Sequence, residues 1–586
     1  MKKIFSLLAG GIALVSLASS CADSAYDDKY ADPSQTATVG VPQVFTGVMF
    51  KGNTWMNPIY YRHWIQSTTS GLFSGVIGTT NSRARYMGSG EGRYDDRWKD
   101  FYDMLTQQRL LEYNYENLSE TEKPSNIIFY YLGRTLVQSQ LHEMLSIFGD
   151  VPYNGAGTLW KDGDYNAAKE KCVYDDDVAL YKQILVDLKE VGDYFASGNV
   201  NTVGLTSLSR QDYTIAAGDA TLWQKYVNSL RLRIALHLST AGDCTAEAHA
   251  AIAEILNNPS QYPLIDNNTE NMGVTANTQK DDFNFGKSFS QALRSSGMAA
   301  CSQTILDAMN LPANGIPDEN TDPRLEVMYD CNPDGQYIAY DVMMTEAEIT
   351  TLTDEKRKEY VQRGMPQANY FCEIDTIAAA GWAEYQGNEN FFGLWLSAAE
   401  VSFSKAEAYL MGYGIERTAA GSSADQNRRT DANKAKANFI EGVKQSTEYY
   451  WNLKENSSLH KDGNDSYRGF RPLVRPTNDA IAAYAESIWK PTQEAICTQL
   501  WLNFGFINKL EAWNVVRRTG YPVVEFATDN QISNYPTPPN RLPYPNNELT
   551  YNSENCQAAI AKNYEEPSGY YTNLFWAKKT YYKMVR

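Results

Sequence analysis

The sequence predicts a mainly α-helical fold, because three long stretches carry apolar side chains at helical spacing. The stretches are residues 126–148, 219–239 and 492–518. In the second of them, the apolar residues that recur at every fourth position are Leu222, Tyr226, Leu230 and Ile234. Side chains spaced in this way lie on one face of a helix, so we expect each stretch to bury one face in the core.

Residues typical of helix ends flank these stripes. Asp219 and Thr492 stand where their side chains can accept hydrogen bonds from the free N–H groups of a first helical turn. Gly149 and Gly520 stand at the other ends, where glycine often ends a helix in a left-handed conformation. We therefore predict that each stripe is one helix, including a single long helix over residues 492–518.

Shorter patterns predict further helices at residues 94–118, 175–196, 246–256, 397–413 and 430–453. Long polar stretches separate the predicted helices, at residues 52–93, 154–172, 257–300, 312–345, 365–392, 455–478 and 519–554. Loops of this length in a compact protein are usually functional or disordered, and the aromatic residues in them favour the first. Paired helices with long connecting loops are the predicted architecture.

The first 20 residues have the pattern of an export signal. Lys2 and Lys3 form a positive start, residues 4–17 are mostly apolar, and Ser20 precedes Cys21. A small residue before a cysteine is where a lipoprotein signal peptidase cuts, and the apolar run is too short to span a bilayer. We expect Cys21 to become the acylated N-terminus and to anchor the protein by its lipid chains. The alternative is an ordinary secretory signal with an incidental cysteine.

The remaining chain is predicted to hold a tether and one domain. Residues 22–40 lack apolar periodicity and are rich in Asp, Ser and Ala, as flexible linkers are. The predicted organisation is a signal peptide at 1–20, a lipid-anchored tether at 21–40 and a single helical domain at 41–586. The net charge of −18 at pH 7 argues against nucleic acid as a partner.

Motifs for catalysis and for cofactors are missing. His142-Glu143 begins like a zinc-protease helix, but Ser146 stands where the second histidine ligand belongs. The glycine-rich residues 88–92 lack the Lys-Ser/Thr of a phosphate-binding loop, and none of the eight cysteines forms a C-x-x-C pair. We predict no catalytic residue, no cofactor and no metal ligand. A carboxylate pair from distant segments, as in glycoside hydrolases, stays open as an alternative.

Aromatic residues are abundant, with 40 Tyr, 21 Phe and 12 Trp. Their rings can stack on sugar rings, and the tyrosine hydroxyl can hydrogen-bond a sugar or a peptide group. Rings on helical stripes, such as Trp223 and Trp501, are assigned to packing. Rings in loops rich in Gly, Ser and Asn are the better candidates for ligand contact.

A set of motifs lies along the chain in a fixed order. The motifs are FGDVPY at 148–153, WQKYVNSLRLR at 223–233, AEA at 406–408, RRTGYP at 517–522 and RLPYP at 541–545, followed by Glu548, Asn552 and Asn555. In order and spacing they resemble the SusD/RagB family of outer-membrane nutrient-binding lipoproteins of Bacteroidetes. Chemically the motifs are those of a scaffold. Asn228 and Arg231, for example, are expected to hydrogen-bond the backbone of neighbouring loops.

The resemblance implies a fold of tetratricopeptide-like helix pairs with an irregular, long-loop side that faces the ligand. It also implies a surface-exposed position on the outer membrane and a SusC-like TonB-dependent transporter as partner. Family ligands are mainly oligosaccharides, with oligopeptides in the RagB-like branch, so an oligosaccharide is the leading expectation and an oligopeptide the alternative. A scaffold that binds only proteins is a third hypothesis, which the long aromatic loops disfavour.

We predict the ligand site on two loops, residues 64–94 and 375–395. The candidate ligand contacts in them are Trp64, Arg83, Tyr86, Trp382, Tyr385, Asn388 and Asn390. The rings would stack on the ligand, while the amides and the guanidinium would supply hydrogen bonds. The alternative is that these rings only pack the loops onto the helices.

Overall fold

Helices dominate the structure of this chain. The computed structural model describes residues 39–57, 59–78, 94–277, 279–280, 283–366, 368–375, 388–413, 424–458, 473–527, 537–578 and 580–585, with residue 168 and residues 424–431 described for their main chain only. None of the described helices combines the length and the apolar character that a bilayer-spanning segment needs.

The described helices are numbered in chain order. The first half of the chain forms α1 (Val41–Met56), α2 (Tyr60–Thr68), α3 (Ser70–Phe73), α4 (Tyr94–Glu116), α5 (Lys123–Phe148), α6 (Leu159–Asp162), α7 (Tyr165–Lys171), α8 (Asp177–Ala196), α9 (Thr202–Gln211), α10 (Ala220–His237), α11 (Thr245–Asn257) and α12 (Phe285–Ser296). The second half forms α13 (Gln303–Ala308), α14 (Leu325–Met328), α15 (Glu346–Gln362), α16 (Ala398–Met411), α17 (Ala424–Glu455), α18 (Asn478–Ile488), α19 (Gln493–Phe504), α20 (Lys509–Thr519), α21 (Asn546–Tyr551) and α22 (Ser553–Asn563).

The described strands are short and form two-stranded sheets. They are β1 (Met272–Val274), β2 (Tyr329–Asp330), β3 (Glu373–Ile374), β4 (Gly393–Leu396), β5 (Val524–Ala527) and β6 (Tyr582–Val585). β1 pairs with β4 and β2 with β3 in antiparallel fashion, whereas β5 and β6 are parallel.

Consecutive helices pack against each other in pairs. The pairs include α4 with α5, α10 with α11, α16 with α17 and α19 with α20. One cluster of buried apolar side chains runs through all of them, with Leu132, Trp223, Phe403 and Trp513 among its members. The apolar stripes of the sequence therefore do form the core, as helical periodicity predicts.

The predicted helix ends are confirmed. Asp219 Oδ1 accepts a hydrogen bond of 2.8 Å from the first turn of α10, and Thr492 Oγ1 accepts one of 3.2 Å from the first turn of α19. Gly149 and Gly520 end α5 and α20 with positive φ angles of 73° and 77°. A side chain with a Cβ is strained in that conformation, which explains why glycine stands at both positions.

The prediction of one helix over residues 492–518 is wrong. The chain forms α19 and α20 instead, separated by a turn over residues 505–508. Gly505 has a φ of 40°, which ends a right-handed helix, and Asn508 then caps α20 by accepting a hydrogen bond from Glu511 N–H. Both helices bury apolar faces in the same core, so the apolar spacing continues across the turn and conceals the break.

The structure also contains helices that the sequence analysis does not predict. The polar stretches 52–93 and 257–300 contain α2 and α12. α15 buries only Tyr360, so it has no apolar stripe to detect. Its local signal is a capping box, in which the side chains of Thr345 and Glu348 bond each other's main-chain N–H groups.

Backbone hydrogen bonds are predicted for two polar side chains of α10, and the structure confirms only one of them. Asn228 Nδ2 donates a hydrogen bond of 3.0 Å to the carbonyl oxygen of Pro263, as predicted. The expectation for Arg231 is wrong, because its guanidinium donates a 2.6 Å hydrogen bond to the Glu254 carboxylate. A charged partner on the next helix competes well for a guanidinium, since the ion pair adds Coulomb attraction to the hydrogen bond.

Distant motifs meet at the C-terminal end of α5. Arg517 Nη2 donates a hydrogen bond of 2.8 Å to the carbonyl oxygen of Ser146, and Arg541 Nη2 donates one to that of Phe148. The last carbonyls of a helix have no partner within the helix, so these two arginines supply the missing donors. The motifs at 148–153, 517–522 and 541–545 thus hold one another in place.

A buried ion pair joins α16 to α20. Arg518 contacts Glu407 through two parallel hydrogen bonds of 2.6 and 2.7 Å, and both side chains are almost completely buried. Gln493 adds a third hydrogen bond of 2.8 Å to the same carboxylate. Burial alone would raise the pKa of Glu407, but Arg518 lowers it below its usual value, so the pair is charged.

We predict that Glu407→Gln destabilises the fold strongly. The substitution keeps the shape but leaves the Arg518 charge buried without its counter-ion, which costs roughly 3–5 kcal/mol. The measurement is the free energy of unfolding by chemical denaturation. Glu247→Gln is the matched control, since Glu247 pairs with Lys182 at 2.7 Å on the surface and both are well exposed. The control should unfold like the wild type, and an equally small effect of Glu407→Gln would contradict the prediction.

Candidate functional site

Only part of the predicted ligand site lies in the described residues. The candidates outside them are Arg83, Tyr86, Trp382 and Tyr385, which fall in residues 79–93 and 376–387. Trp64, Asn388 and Asn390 are described. The described residues that flank the two segments show where these segments join the fold.

Residues 79–93 follow a turn that is held on a short extended stretch, residues 299–302, here called the root segment. Gly78 N–H donates a hydrogen bond of 2.8 Å to the carbonyl oxygen of Ala300. A Cβ on Gly78 would lie 2.3 Å from the carbonyl oxygen of Cys301, so only glycine allows this approach. Ser302 Oγ donates a further hydrogen bond of 2.5 Å to the carbonyl oxygen of Gly75. The predicted loop 64–94 is thus fixed to the root segment at Gly75 and Gly78, directly before residues 79–93.

Residues 376–387 follow β3, and β3 pairs with the same root segment. Ile374 N–H donates a hydrogen bond of 2.9 Å to the carbonyl oxygen of Ala299, and Cys301 N–H donates one of 3.0 Å to that of Cys372. Both predicted loops therefore leave the fold side by side, although they lie far apart in the sequence.

The second loop re-enters the fold at Asn388, whose side chain is buried. Asn388 Nδ2 donates a hydrogen bond of 2.7 Å to the carbonyl oxygen of Leu453, and Oδ1 accepts one of 2.8 Å from Asn390 N–H. Asn388 thus anchors the loop to α17. In contrast, the buried Nδ2 of Asn390 has no hydrogen-bond partner among the described residues. Of the two asparagines predicted to contact the ligand, Asn390 is therefore the one whose side-chain N–H groups could still donate a hydrogen bond.

A third segment meets the second loop at this point. The Glu389 carboxylate accepts a hydrogen bond of 3.2 Å from Ser457 Oγ and another from Ser458 N–H. Ser458 is the last described residue before 459–472. The sequence prediction did not include this segment in the site. Its signal was available, since Tyr467 and Phe470 lie there among Gly, Asn and Asp, as in the two predicted loops.

An aromatic layer lies where α2 meets the end of the second loop. Phe289 and Phe391 stack with ring centroids 5.1 Å apart and planes 8° from parallel. The His63 ring lies 4.2 Å from that of Phe289. Trp64, the next residue of α2, is half-buried against the core. The His63 ring, directly before the first predicted region, lies 6.0 Å from the Phe391 ring of the second.

The His63 imidazole is held in an electrostatically unfavourable place for a proton. Lys509 Nζ lies 3.2 Å from His63 Nδ1 and donates a hydrogen bond of 2.8 Å to the carbonyl oxygen of Phe506. Burial, together with the charges of Lys509 and Arg62, lowers the pKa of His63 well below its usual 6.5. Burial and Arg62 also lower the pKa of Lys509. Neutral His63 is therefore the form that the fold selects.

A cleft of about 660 Å³ opens beside the root segment. Gly75, Ile77 and Gly78 form one wall, within the predicted loop 64–94 and directly before residues 79–93. Polar side chains line part of the remainder, among them Asp307, Tyr340, Asp341, Glu494, Glu525 and Lys583, and apolar residues such as Val523 and Phe526 line the rest. Hydrogen-bonding side chains around a cleft of this size suit a ligand with many hydroxyl groups.

A second opening, here called the aromatic groove, was not predicted from the sequence. Its volume is about 630 Å³, and Trp98, Tyr102, Trp160, Tyr165 and Tyr551 supply its rings. Tyr165 and Tyr551 are 53% and 65% exposed, and Tyr165 OH donates a hydrogen bond of 2.9 Å to the carbonyl oxygen of Tyr551. The groove joins α4, α7 and α21, which are too far apart in the sequence for local patterns to connect.

An acidic cluster near the C-terminal end of α5 does not fit a metal site. Carboxylate oxygens of Asp150, Asp176 and Asp177 lie within 4.8 Å of one another. Lys562 Nζ donates hydrogen bonds of 2.8 and 2.9 Å to Asp150 and Asp176. The ammonium group already supplies the positive charge that a cation would bring, so the cluster belongs to the scaffold.

Comparison with known proteins identifies one family model. Residues 49–545 match a SusD-like family described as "Starch-binding associating with outer membrane". No curated protein matches the chain.

Solved structures share the fold at low sequence identity. A SusD homologue from Bacteroides fragilis is 18% identical over 92% of this chain and 99% of its own, with a TM-score of 0.63. A chitin-binding SusD homologue from Flavobacterium johnsoniae is 16% identical over 91% and 98%, with a TM-score of 0.59. A structure described as a chitin-binding protein is 19% identical over 91% and 98%, with a TM-score of 0.62. The predicted class, tetratricopeptide-like helix pairs with long loops, is confirmed.

We predict that His63 makes the fold less stable in mild acid. The unfolded chain takes up a proton on this residue as the pH falls through about 6.5, whereas the folded chain does not. The unfolded state then binds more protons, so the free energy of unfolding falls with falling pH, by up to about 1.4 kcal/mol per pH unit for one histidine. Denaturation of the wild type and of His63→Phe at several pH values measures this slope.

The stability difference between wild type and His63→Phe at high pH serves as the control. At about pH 8 the histidine is neutral in both states, so the difference between wild type and His63→Phe there reflects packing and the lost contact with Lys509 Nζ, and not protonation of His63. Below pH 6.5 the wild type should lose stability more steeply than the variant. Parallel pH profiles would contradict the assignment of a neutral buried imidazole.

Proposed function

This chain belongs to the SusD-like family, and on that premise we propose that it is a cell-surface lipoprotein that binds an oligosaccharide and delivers it to a SusC-like TonB-dependent outer-membrane transporter. The observation that carries the proposal is the common start of the two predicted ligand loops on the root segment. Loops that leave one scaffold strand side by side can present their side chains to the same ligand. The proposal includes no catalytic residue, cofactor or metal.

Three observations favour a glycan as the ligand. The predicted loops contain Trp382, Tyr385 and Tyr86, whose rings can stack on the CH faces of sugars. Carboxylates, hydroxyls and an ammonium group line part of the cleft beside the root segment. The family description names starch, and two of the structural relatives are described as chitin-binding. Ligands of that chemistry need both stacking surfaces and many hydrogen-bonding groups.

The oligopeptide alternative has weaker support on this face. Extended peptides commonly bind by adding a strand to an open sheet edge. β3 pairs with the root segment on one side and with β2 on the other. In the root segment, the Ala300 carbonyl also accepts a hydrogen bond from Gly78 N–H, and Ser302 forms a parallel β-bridge with Tyr340. The edges of β3 and of the root segment are therefore already used by the protein itself.

The proposed anchor is Cys21, which lies outside the described residues, as does most of the tether at 21–40. The first described helix begins at Val41, where the predicted domain of residues 41–586 begins. A signal peptide at 1–20, an acylated Cys21 and a flexible tether would together hold this domain close to the outer membrane.

We predict that Trp382→Ala and Tyr385→Ala each weaken glycan binding by roughly 3- to 10-fold, the loss expected for one stacking ring. Isothermal titration with malto-oligosaccharides and chito-oligosaccharides measures affinity, and thermal unfolding measures stability. The melting temperature should stay close to that of the wild type, because loop rings that contact a ligand are not needed for the core.

Tyr551→Ala in the aromatic groove is the matched control, since it removes an exposed ring outside the proposed site. It should leave glycan affinity unchanged. Full binding by a folded Trp382→Ala/Tyr385→Ala double variant would remove these rings from the site. Equal loss of affinity and stability would assign them to packing.

The transporter partner is tested separately. Mild detergent extraction of native membranes, followed by affinity purification of this chain, should recover a TonB-dependent barrel in near-equal amount. Recovery of the chain alone, under conditions that preserve a related complex, would count against delivery while leaving ligand capture intact.

A further inference from the structure

Two cysteines face each other across the root segment and β3. Ala300 and Glu373 form an antiparallel bridge, so the next pair in the same register is Cys301 and Cys372. Cys301 N–H donates a hydrogen bond of 3.0 Å to the carbonyl oxygen of Cys372, as this register requires. Directly opposite residues on antiparallel strands project to the same face, with Cβ atoms roughly 4.5–5.5 Å apart. Both side chains are completely buried, and the Cys301 thiol donates a hydrogen bond of 3.5 Å to the carbonyl oxygen of Ser302.

A third cysteine competes for the same partner. Asp330 of β2 is paired with Glu373 of β3. If this register continued by one residue, Cys331 would lie opposite Cys372, on the side of β3 away from the root segment. However, Cys331 lies beyond the last paired residue of β2 and is only half-buried. Cys372 N–H donates its hydrogen bond of 2.8 Å to the carbonyl oxygen of Ile338 and so does not continue the ladder to β2. The geometry favours Cys301 as the partner.

We propose that Cys301 and Cys372 form an intrachain disulfide in the exported protein. The bond would fix the root segment covalently to β3, at the place where both predicted ligand loops begin. The inference rests on the proposed export of the chain, because disulfides persist in oxidising compartments, but it does not depend on the identity of the ligand.

The reaction is thiol–disulfide exchange with a protein or small-molecule disulfide as oxidant. One cysteine thiolate attacks a sulfur of the oxidant, forms a mixed disulfide and releases the first thiolate of the oxidant. The second cysteine thiolate then attacks the mixed disulfide and releases the other. Two electrons and two protons pass from the cysteine pair to the oxidant, which becomes a dithiol or two thiols.

Burial determines when this reaction can occur. It raises the pKa of the Cys301 thiol well above its usual value, so the folded, reduced protein contains very little of the reactive thiolate there. Oxidation should therefore take place before the root segment and β3 are buried. Refolding of the full chain with reduced and oxidised glutathione should form the bond, whereas the same mixture added to the folded, reduced protein should form it far more slowly.

The test is peptide mapping of the chain isolated from the cell-envelope fraction without reductant. Free thiols are alkylated in denaturant, the protein is digested, and cross-linked peptides are identified by mass spectrometry before and after reduction. The expected result is a peptide joining Cys301 to Cys372 that appears only without reductant. Complete alkylation of both cysteines would overturn the proposal, as would a peptide joining Cys331 to Cys372.

Matched variants separate pairing from folding. Cys331→Ser should retain the linked peptide, and Cys301→Ser should lose it without a new link from Cys372. If Cys301→Ser does not accumulate, the wild type and Cys331→Ser still decide the pairing. Absence of the wild-type chain from the envelope fraction would overturn export and the disulfide together, whereas envelope protein with free thiols would overturn the disulfide alone.

Discussion

The root segment is the element on which the arrangement of the ligand face depends. Residues 299–302 are almost completely buried, so their peptide groups need partners within the protein. One side of the segment pairs with β3, and the Ala300 carbonyl accepts a hydrogen bond from Gly78 N–H. The Ser302 hydroxyl donates a hydrogen bond to the Gly75 carbonyl, and Ser302 forms a β-bridge with Tyr340. Moving any of these chains away would leave buried main-chain groups unpaired, at a cost of about 1–3 kcal/mol for each. The residues directly before 79–93 and 376–387 are therefore fixed.

The helical scaffold around this face is tied by buried arginine–carboxylate pairs. Arg518 binds Glu407, Arg233 binds Glu400 at 2.6 Å, and Arg324 binds Asp322 at 2.6 Å. Removing one partner of such a pair leaves a buried charge, which is far more costly than the pair is stabilising. Arg233, Glu407 and Arg518 belong to the motifs by which the sequence resembles its family. Those motifs therefore specify the scaffold, and this explains why they predict the fold without identifying the ligand.

Local chemistry could be predicted from the sequence where the cause is local. Asp219, Gly149 and Gly520 each act on their own helix end, and all three behave as predicted. Gly505 breaks a helix inside a continuous apolar pattern, and α15 has no pattern because it buries only Tyr360. The site depends mostly on contacts between distant parts of the sequence, such as the hydrogen bonds from Gly78 to Ala300 and from Ser457 to Glu389. A single sequence shows loop composition, but it does not show which loops begin at the same place.

Hydrogen–deuterium exchange of the folded protein, with and without saturating malto- or chito-oligosaccharide, tests the central claim most directly. The account predicts that the glycan that binds slows exchange in residues 79–93 and 376–387 together, over the same range of ligand concentration. Residues 459–472, which follow Ser457 and Ser458 at their contact with Glu389, should be protected with them. Protection confined to the aromatic groove, around residues 159–171 and 546–552, would contradict the account. So would protection of these loops by oligopeptides and by no oligosaccharide.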